Sequence, residues 1–210
     1  MNICLLDYGL GNIWSLKSSI EHIGCKVNFF SEINKTSKID CLILPGVGSF
    51  YHATKLLNKK KIKIFLEEIV KNDIPLIGIC LGMQILMTKG YEEKESKGLS
   101  LIKGNVKKIP IKMDEKLPNI GWRRVNFVKE ENAKFGFLKK FDNEKFYFVH
   151  SFQSNPTDKS NVMGTSQFYD KQINSVIADK KKNIIGFQFH PEKSGEIGLS
   201  LLEELFKSFK

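Results

Sequence analysis

The chain has 210 residues, 41% of them hydrophobic, which is enough to bury a core without metal or disulfide staples. Its formal charge is +10, yet nearly all the positive charge is lysine, spread through "NKKKIK", "KGNVKKIPIK" and "DKKKN" among acidic residues with no basic stripe interleaved with aromatics, which argues against a nucleic-acid partner. Cys4, Cys25, Cys41 and Cys80 form no C-x-x-C pair, no apolar run approaches the roughly 20 residues that span a bilayer, and "MNICLLDYG" is not a basic-then-apolar leader; a reduced, soluble, cytoplasmic protein without a metal site is expected.

In chain order, the apolar runs "NICLLD", "KVNFF", "CLILP" and "PLIGIC" read as buried strands. Between them, Ile13, Leu16, Ile20 and Ile23 recur at helical spacing behind Asn12, a good N-cap, and the helix is expected to stop at Gly24. "KKIKIFLEEIVKND" and "LGMQILMTK" also read as helices. Strand-helix alternation of this kind favours a mostly parallel sheet covered on both faces, with ligands at the carboxyl ends of the strands. From about Leu99 the texture changes to short β-like runs, "SLIKGNVKKIP", "RRVNFV", "KFYFVHSF", "VMGTSQF", "NSVIAD" and "NIIGFQFH", which suggests antiparallel strands packed with the first half. A closing helix carries Ile197, Leu201, Leu205 and Phe209 on one face, and with no linker, repeat or low-complexity tract one domain over 1–210 is expected.

"GICLG", Gly78 to Gly82, has the form of a nucleophile elbow with cysteine at its centre. Glycines two residues to either side relieve crowding at a sharp strand-to-helix turn, and the start of the following helix favours a thiolate on Cys80. A buried-strand cysteine is the plainer reading of that string alone. "PGVGSF" also follows a strand, and its peptide N–H groups can face a cleft and bind an oxyanion, or it can be a simple turn. "YGLGN" lacks a third glycine, since Trp14 holds that position, so a dinucleotide site is not expected there. Of the four histidines, His22 and His52 fall in helical segments and read as surface residues. His150 and His190 each end a β-like run, and Glu192, two residues past His190 with Pro191 between, can orient its imidazole. Cys80, His190 and Glu192 together make the layout of acyl transfer through a thioester.

"GICLGMQ" with "FQFHPE" resembles the class I, triad-type glutamine amidotransferases, and "LLDYGLGNIWSL", "LPGVGSF", "NIGW", "FYFVHS" and "FQFHPEKSGEIGLSLL" are similar to the glutaminase subunits of imidazole glycerol phosphate synthase across essentially the whole chain. The resemblance implies a flavodoxin-like α/β fold with an added antiparallel portion, no cofactor and no metal. It implies a glutaminase that releases ammonia from L-glutamine and passes it to a separate (β/α)8-barrel cyclase, for imidazole glycerol phosphate and an aminoimidazole carboxamide nucleotide in histidine biosynthesis. Cys80 is then the nucleophile, His190 the base and acid, and Glu192 its holder. The oxyanion hole falls on the N–H of Leu81 and the backbone around Val47, where the resemblance implies a peptide reorientation. Gly48, Gln84, Glu92 and the His150-Ser151-Phe152 backbone are expected to hold glutamine, and Asn12, Trp122, Tyr147 and Lys193 to face the barrel. The bland readings are core for Trp122 and solvated charge for Lys193.

One stretch departs from the family pattern. The family usually has histidine before the "xGW" step and asparagine after it, whereas this chain has Asn119 and Arg123, and Arg123 and Arg124 are its only arginines. Arginine's planar donor fork there fits an acidic partner surface or a solvent-facing strand. Two alternatives accompany the leading reading: a paralogue supplying ammonia for amidino groups on bacterial surface sugars, and a basic nucleic-acid adaptor, which leaves Cys80, His190 and Glu192 unexplained.

Overall fold

A computed structural model describes residues 1–33, 38–128 and 134–209. The first half alternates as read: β1 (Asn2–Leu5), α1 (Ile13–His22), β2 (Lys26–Phe29), β3 (Cys41–Leu44), α2 (Phe50–Leu57), α3 (Lys60–Lys71) and β4 (Leu76–Ile79). A short helix α4 (Leu81–Ile85) follows, then β5 (Met87–Gly90), β6 (Ser96–Lys97), β7 (Ile102–Lys108), β8 (Asn119–Phe127), β9 (Glu144–His150), β10 (Phe152–Pro156), β11 (Val162–Phe168), β12 (Lys171–Asp179), β13 (Ile184–Phe187) and α5 (Gly195–Lys207). Nine strands form one sheet in the order β2-β1-β3-β4-β13-β12-β11-β8-β9, and four form a second, β10-β7-β5-β6.

The apolar runs lack alternation because both faces of the main sheet are covered. Ile3 and Leu5 point to one core and Cys4 and Leu6 to the other; Cys41 and Ile43 are likewise separated from Leu42 and Leu44. The first core lies under α1 and α5 and continues into Phe127, Phe146, Phe148, Phe187 and Phe189. The second is closed by α2, α3, α4 and the smaller sheet. α1 ends where Gly24 takes a positive φ, and Asn12 occupies the N-cap position without a side-chain capping bond.

Two expectations are corrected. "NIIGFQFH" is not wholly part of an antiparallel appendage: β13 pairs antiparallel with β12 but parallel with β4, through Ile184↔Leu76 and Ile185↔Ile77, so the last strand completes the parallel half. "LGMQILMTK" is not one helix, since α4 stops at Ile85 and Met87–Gly90 is a strand. The carbonyls of Ile85, Leu86 and Met87 accept N–H groups from Leu99, Leu101 and Ser100, so a segment far along the chain takes the acceptors that a longer helix would have used.

Candidate active site

β1, β3, β4 and β13 are parallel neighbours, and the segments leaving their carboxyl ends converge. At the end of β4, Cys80 sits at φ 53 and ψ −108, a left-handed conformation that costs a non-glycine residue about 1–3 kcal/mol and persists only when its surroundings hold it. Its N–H donates to the Phe187 carbonyl (2.7 Å) and its carbonyl accepts from Gln84 N–H (3.2 Å). Both flanking glycines are needed for close approach. A β-carbon on Gly82 would lie 1.8 Å from the Leu44 carbonyl oxygen, and one on Gly78 would lie 2.7 Å from the Gly82 backbone. As the first residue of α4, Leu81 has an N–H that the helix itself does not use.

The turn after β3 packs flat on this elbow. A β-carbon on Gly46 would meet Leu81 Cβ at 2.8 Å and the Tyr8 hydroxyl at 3.0 Å. Tyr8 donates to the Pro45 carbonyl (2.8 Å), and burial, with the nearby Cys80 sulfur, holds its hydroxyl well above the ordinary phenol range. Gly48 takes φ +107, and Val47 is 40% exposed at the mouth of the cleft.

His190 lies just beyond β13, its N–H bonded to the Tyr147 carbonyl (2.9 Å). Its Nδ1 is 2.8 Å from Glu192 Oε1, and both side chains are almost wholly buried. Burial by itself would depress the imidazole, but the Cys80 sulfur and the Glu192 carboxylate outweigh it and raise the His190 pKa to about 10. The ring is therefore cationic near neutral pH. Nδ1–H is committed to Glu192, which leaves Nε2 for the sulfur; Nε2 is buried and makes no hydrogen bond of ordinary geometry.

His150 has the opposite character. Burial lowers its pKa to about 4, with the His190 and Arg123 charges adding to the effect and its bond to the Phe152 carbonyl opposing it. A carbonyl only accepts, so Nδ1 carries the proton and donates to Phe152 (2.8 Å), and Nε2 accepts from Asn119 Nδ2 (3.0 Å). One histidine is a buried cation and the other a buried neutral ring, which fits proton transfer at His190 and positioning at His150.

A cleft of ≈ 200 Å³ is lined by Val47, Gly48, Cys80, Leu81, Gln84, Glu92, Val149, His150 and Phe152. Seven of the eight residues expected to hold an oxyanion or glutamine therefore meet at the thiol: Val47, Gly48, Leu81, Gln84, Glu92, His150 and Phe152. Ser151 does not line the cleft, and its carbonyl accepts Ile109 N–H (2.9 Å). Glu92 is half-buried; burial raises its pKa, while its bond from Phe50 N–H (2.8 Å) opposes the rise. Both donors of the Gln84 amide are spent, on the Phe152 carbonyl (2.9 Å) and on Gln188 Oε1 (3.1 Å). Larger grooves of ≈ 440 and ≈ 520 Å³ run along α3, lined by apolar, lysine and glutamate side chains and holding no nucleophile.

Sequence reading missed Val149, whose carbonyl is 3.9 Å from Cys80 Sγ, and Gln188, whose Nε2 is 3.8 Å from it. Gln188 stands one residue past the end of β13, where strand alternation no longer says which way a side chain points.

The four residues expected to face a partner lie at the surface. Asn12 and Lys193 are exposed, Tyr147 is half-buried and Trp122, at 48% exposure, is not core. Trp122 and Tyr147 are register partners on β8 and β9 with rings 6.1 Å apart. The 3-10 turn Pro191–Lys193 touches both β9 and α1, which follows Asn12. Arg123 donates to the carbonyls of Trp122 (3.0 Å) and Ile120 (3.3 Å), and Arg124 to that of Asn143 (2.7 Å). Each fork is anchored to backbone, with no acidic side chain among the described residues at these contacts.

Residues 4–208 match the family model for class-I glutamine amidotransferases. The imidazole glycerol phosphate synthase subunit HisH of Lactococcus lactis is 40% identical over 96% of this chain and 96% of its own length. The HisH subunit of Pelagibacter ubique is 41% identical over 97% and 98%. Among solved structures, PurLQS from Thermotoga maritima superposes with a TM-score of 0.70 at 18% identity, covering 99% of this chain and 96% of that one, which bears on the fold alone.

Proposed function

The chain belongs to the class I glutamine amidotransferase family, and on that premise we propose that it is the glutaminase subunit of an imidazole glycerol phosphate synthase in L-histidine biosynthesis. The observation that carries the chemistry is the arrangement around Cys80: a strained elbow, a buried His190-Glu192 pair at 2.8 Å, and a cleft sized for a small amino acid.

In the proposed cycle the Cys80 thiolate attacks the γ-carboxamide carbon of L-glutamine. Negative charge develops on the oxygen, and the Leu81 N–H, with the backbone around Val47, stabilises it. The His190 imidazolium gives its Nε2 proton to the departing nitrogen, ammonia leaves, and a γ-glutamyl thioester remains. His190, now neutral and held by Glu192, takes a proton from water at Nε2 as the hydroxide attacks the thioester. Thiolate and glutamate are released, so one water is consumed for each glutamine. Gln84, Glu92 and His150 orient the substrate, with Gly48 and the Ser151-Phe152 backbone lining its other side.

Ammonia then passes to a (β/α)8-barrel cyclase docked over Asn12, Trp122, Tyr147 and Lys193. That face and the chemistry share an element, because the turn Pro191–Lys193 carries both Glu192 and Lys193. Identity of 40% and 41% across whole relatives supports the histidine pathway over surface-sugar amidination. The test pairs the purified chain with the cyclase barrel from the same genome. Glutamate release stimulated by the barrel and its nucleotide ligand is expected, together with rescue of a histidine auxotroph lacking this subunit; no stimulation and no rescue would overturn the assignment.

A further inference from the structure

A chain of buried amides ends on the sulfur, and its direction follows from hydrogen-bond chemistry. The Phe152 carbonyl can only accept, so the Gln84 atom 2.9 Å away is nitrogen, as is the His150 atom at 2.8 Å. That same Gln84 nitrogen lies 3.1 Å from the Gln188 amide, which must answer with its oxygen. The Gln188 nitrogen is then turned to Cys80 Sγ, at 3.8 Å. Gln188 is 0% exposed and Gln84 4%, so both amides are shielded from bulk solvent.

Besides His190 and Tyr8, the sulfur has two further polar neighbours. The Val149 carbonyl, 3.9 Å away, suits the protonated thiol, which can donate to it. The Gln188 N–H suits only an acceptor, and a thiolate is a far better acceptor than a thiol.

We propose that Gln188 is a further catalytic residue, whose carboxamide donates to the Cys80 thiolate and is held in that orientation by Gln84 and the Phe152 carbonyl. The proposal rests on the reading of Cys80 as the nucleophile. In the reaction it acts at two moments, before attack and again when the thioester breaks and the sulfur regains its charge. Its consequence differs from that of His190: Gln188 brings no proton to exchange, so it stabilises the anion without serving as acid or base.

The test is the rate at which iodoacetamide alkylates Cys80 as a function of pH, followed on the Cys80 peptide by mass spectrometry so that the partly exposed Cys25 does not contribute. Alkylation needs no glutamine and no partner, so its outcome is separate from that of the glutaminase assignment. In Gln188→Met, which keeps bulk and removes the donor, alkylation below neutral pH is expected to slow by about ten-fold relative to the wild type, with the deficit shrinking as pH rises. Gln188→Leu also removes the donor at similar bulk and is expected to slow alkylation equally, so it carries the test if the Met variant does not fold. A folded variant, checked by its melting temperature, that alkylates within about two-fold of wild type across the pH range would overturn the proposal.

Discussion

Replacing Glu192 by Gln removes one charge from a buried pair while leaving its size unchanged. The carboxylate oxygen stands 2.8 Å from His190 Nδ1, with both side chains nearly excluded from solvent. An opposite charge at that distance is worth about 1–3 pKa units, or about 1.4–4 kcal/mol. His190 begins at about 10, where burial pulls it down and the sulfur and Glu192 push it up, so the variant is expected to titrate about 1–3 units lower. The stability consequence has a definite sign. A histidine raised in the folded state contributes fully below its ordinary value of 6.5, and the contribution is lost as pH rises from 6.5 through about 10. Wild type should therefore exceed the variant in stability most in the acid half of that window and converge with it toward its upper end. The amide also no longer favours the charged ring that must give a proton to the departing nitrogen, so kcat should fall by about 10²- to 10⁴-fold. Imidazole ¹⁵N NMR titration, urea melts at several pH values and partner-stimulated glutaminase kinetics read the three effects. An unmoved His190 titration in Glu192→Gln would refute the reasoning, whatever the kinetics showed.

Gly82→Ala should cost about 3 kcal/mol or more, roughly 6–12 °C in melting temperature, because its β-carbon would fall 1.8 Å from the backbone oxygen of Leu44 and neither backbone can yield easily. Gly9→Ala, where a β-carbon meets nothing, should cost only about 1 kcal/mol for its positive φ; equal losses in the two would contradict the close-approach account of the elbow. His150, lowered in the folded state to about 4, contributes stability that is complete above 6.5 and is lost as pH falls from 6.5 through about 4, a loss approaching about 3 kcal/mol. Urea melts should show that slope in the wild type and a flatter one in His150→Asn; parallel slopes would show that His150 is not a buried neutral ring.

The chemistry was more legible than the connectivity. "GICLG" and "FQFHPE" can be read because an elbow restricts which residues fit: the Leu44 oxygen leaves no room for a β-carbon at Gly82. The early strands were legible because unbroken apolar runs mean burial on two faces, as Ile3 and Cys4 pointing to opposite cores illustrate. The partnership of β13 with β4 was not legible, since pairing between residues near 77 and near 185 leaves no mark in either local pattern. Nor was the end of α4, which is set by N–H groups of Leu99 and Leu101 rather than by a breaker in the helix itself. Trp122 shows the limit of composition: an aromatic in a strand reads equally as core or as contact surface, and only the fold, which leaves Trp122 on β8 48% exposed, settles which it is. Gln188 had no signal beyond its place inside a quoted motif.

The central claim is that Cys80 carries the glutamyl group on its sulfur. Quenching the complex of this chain with its cyclase barrel in acid during turnover of ¹³C-labelled glutamine, followed by mass spectrometry of the Cys80 peptide, tests it most directly. A γ-glutamyl adduct on Cys80 is predicted in the wild type and its absence in Cys80→Ser. Labelled glutamate produced at the wild-type rate by Cys80→Ser, with no adduct in either protein, would contradict the account.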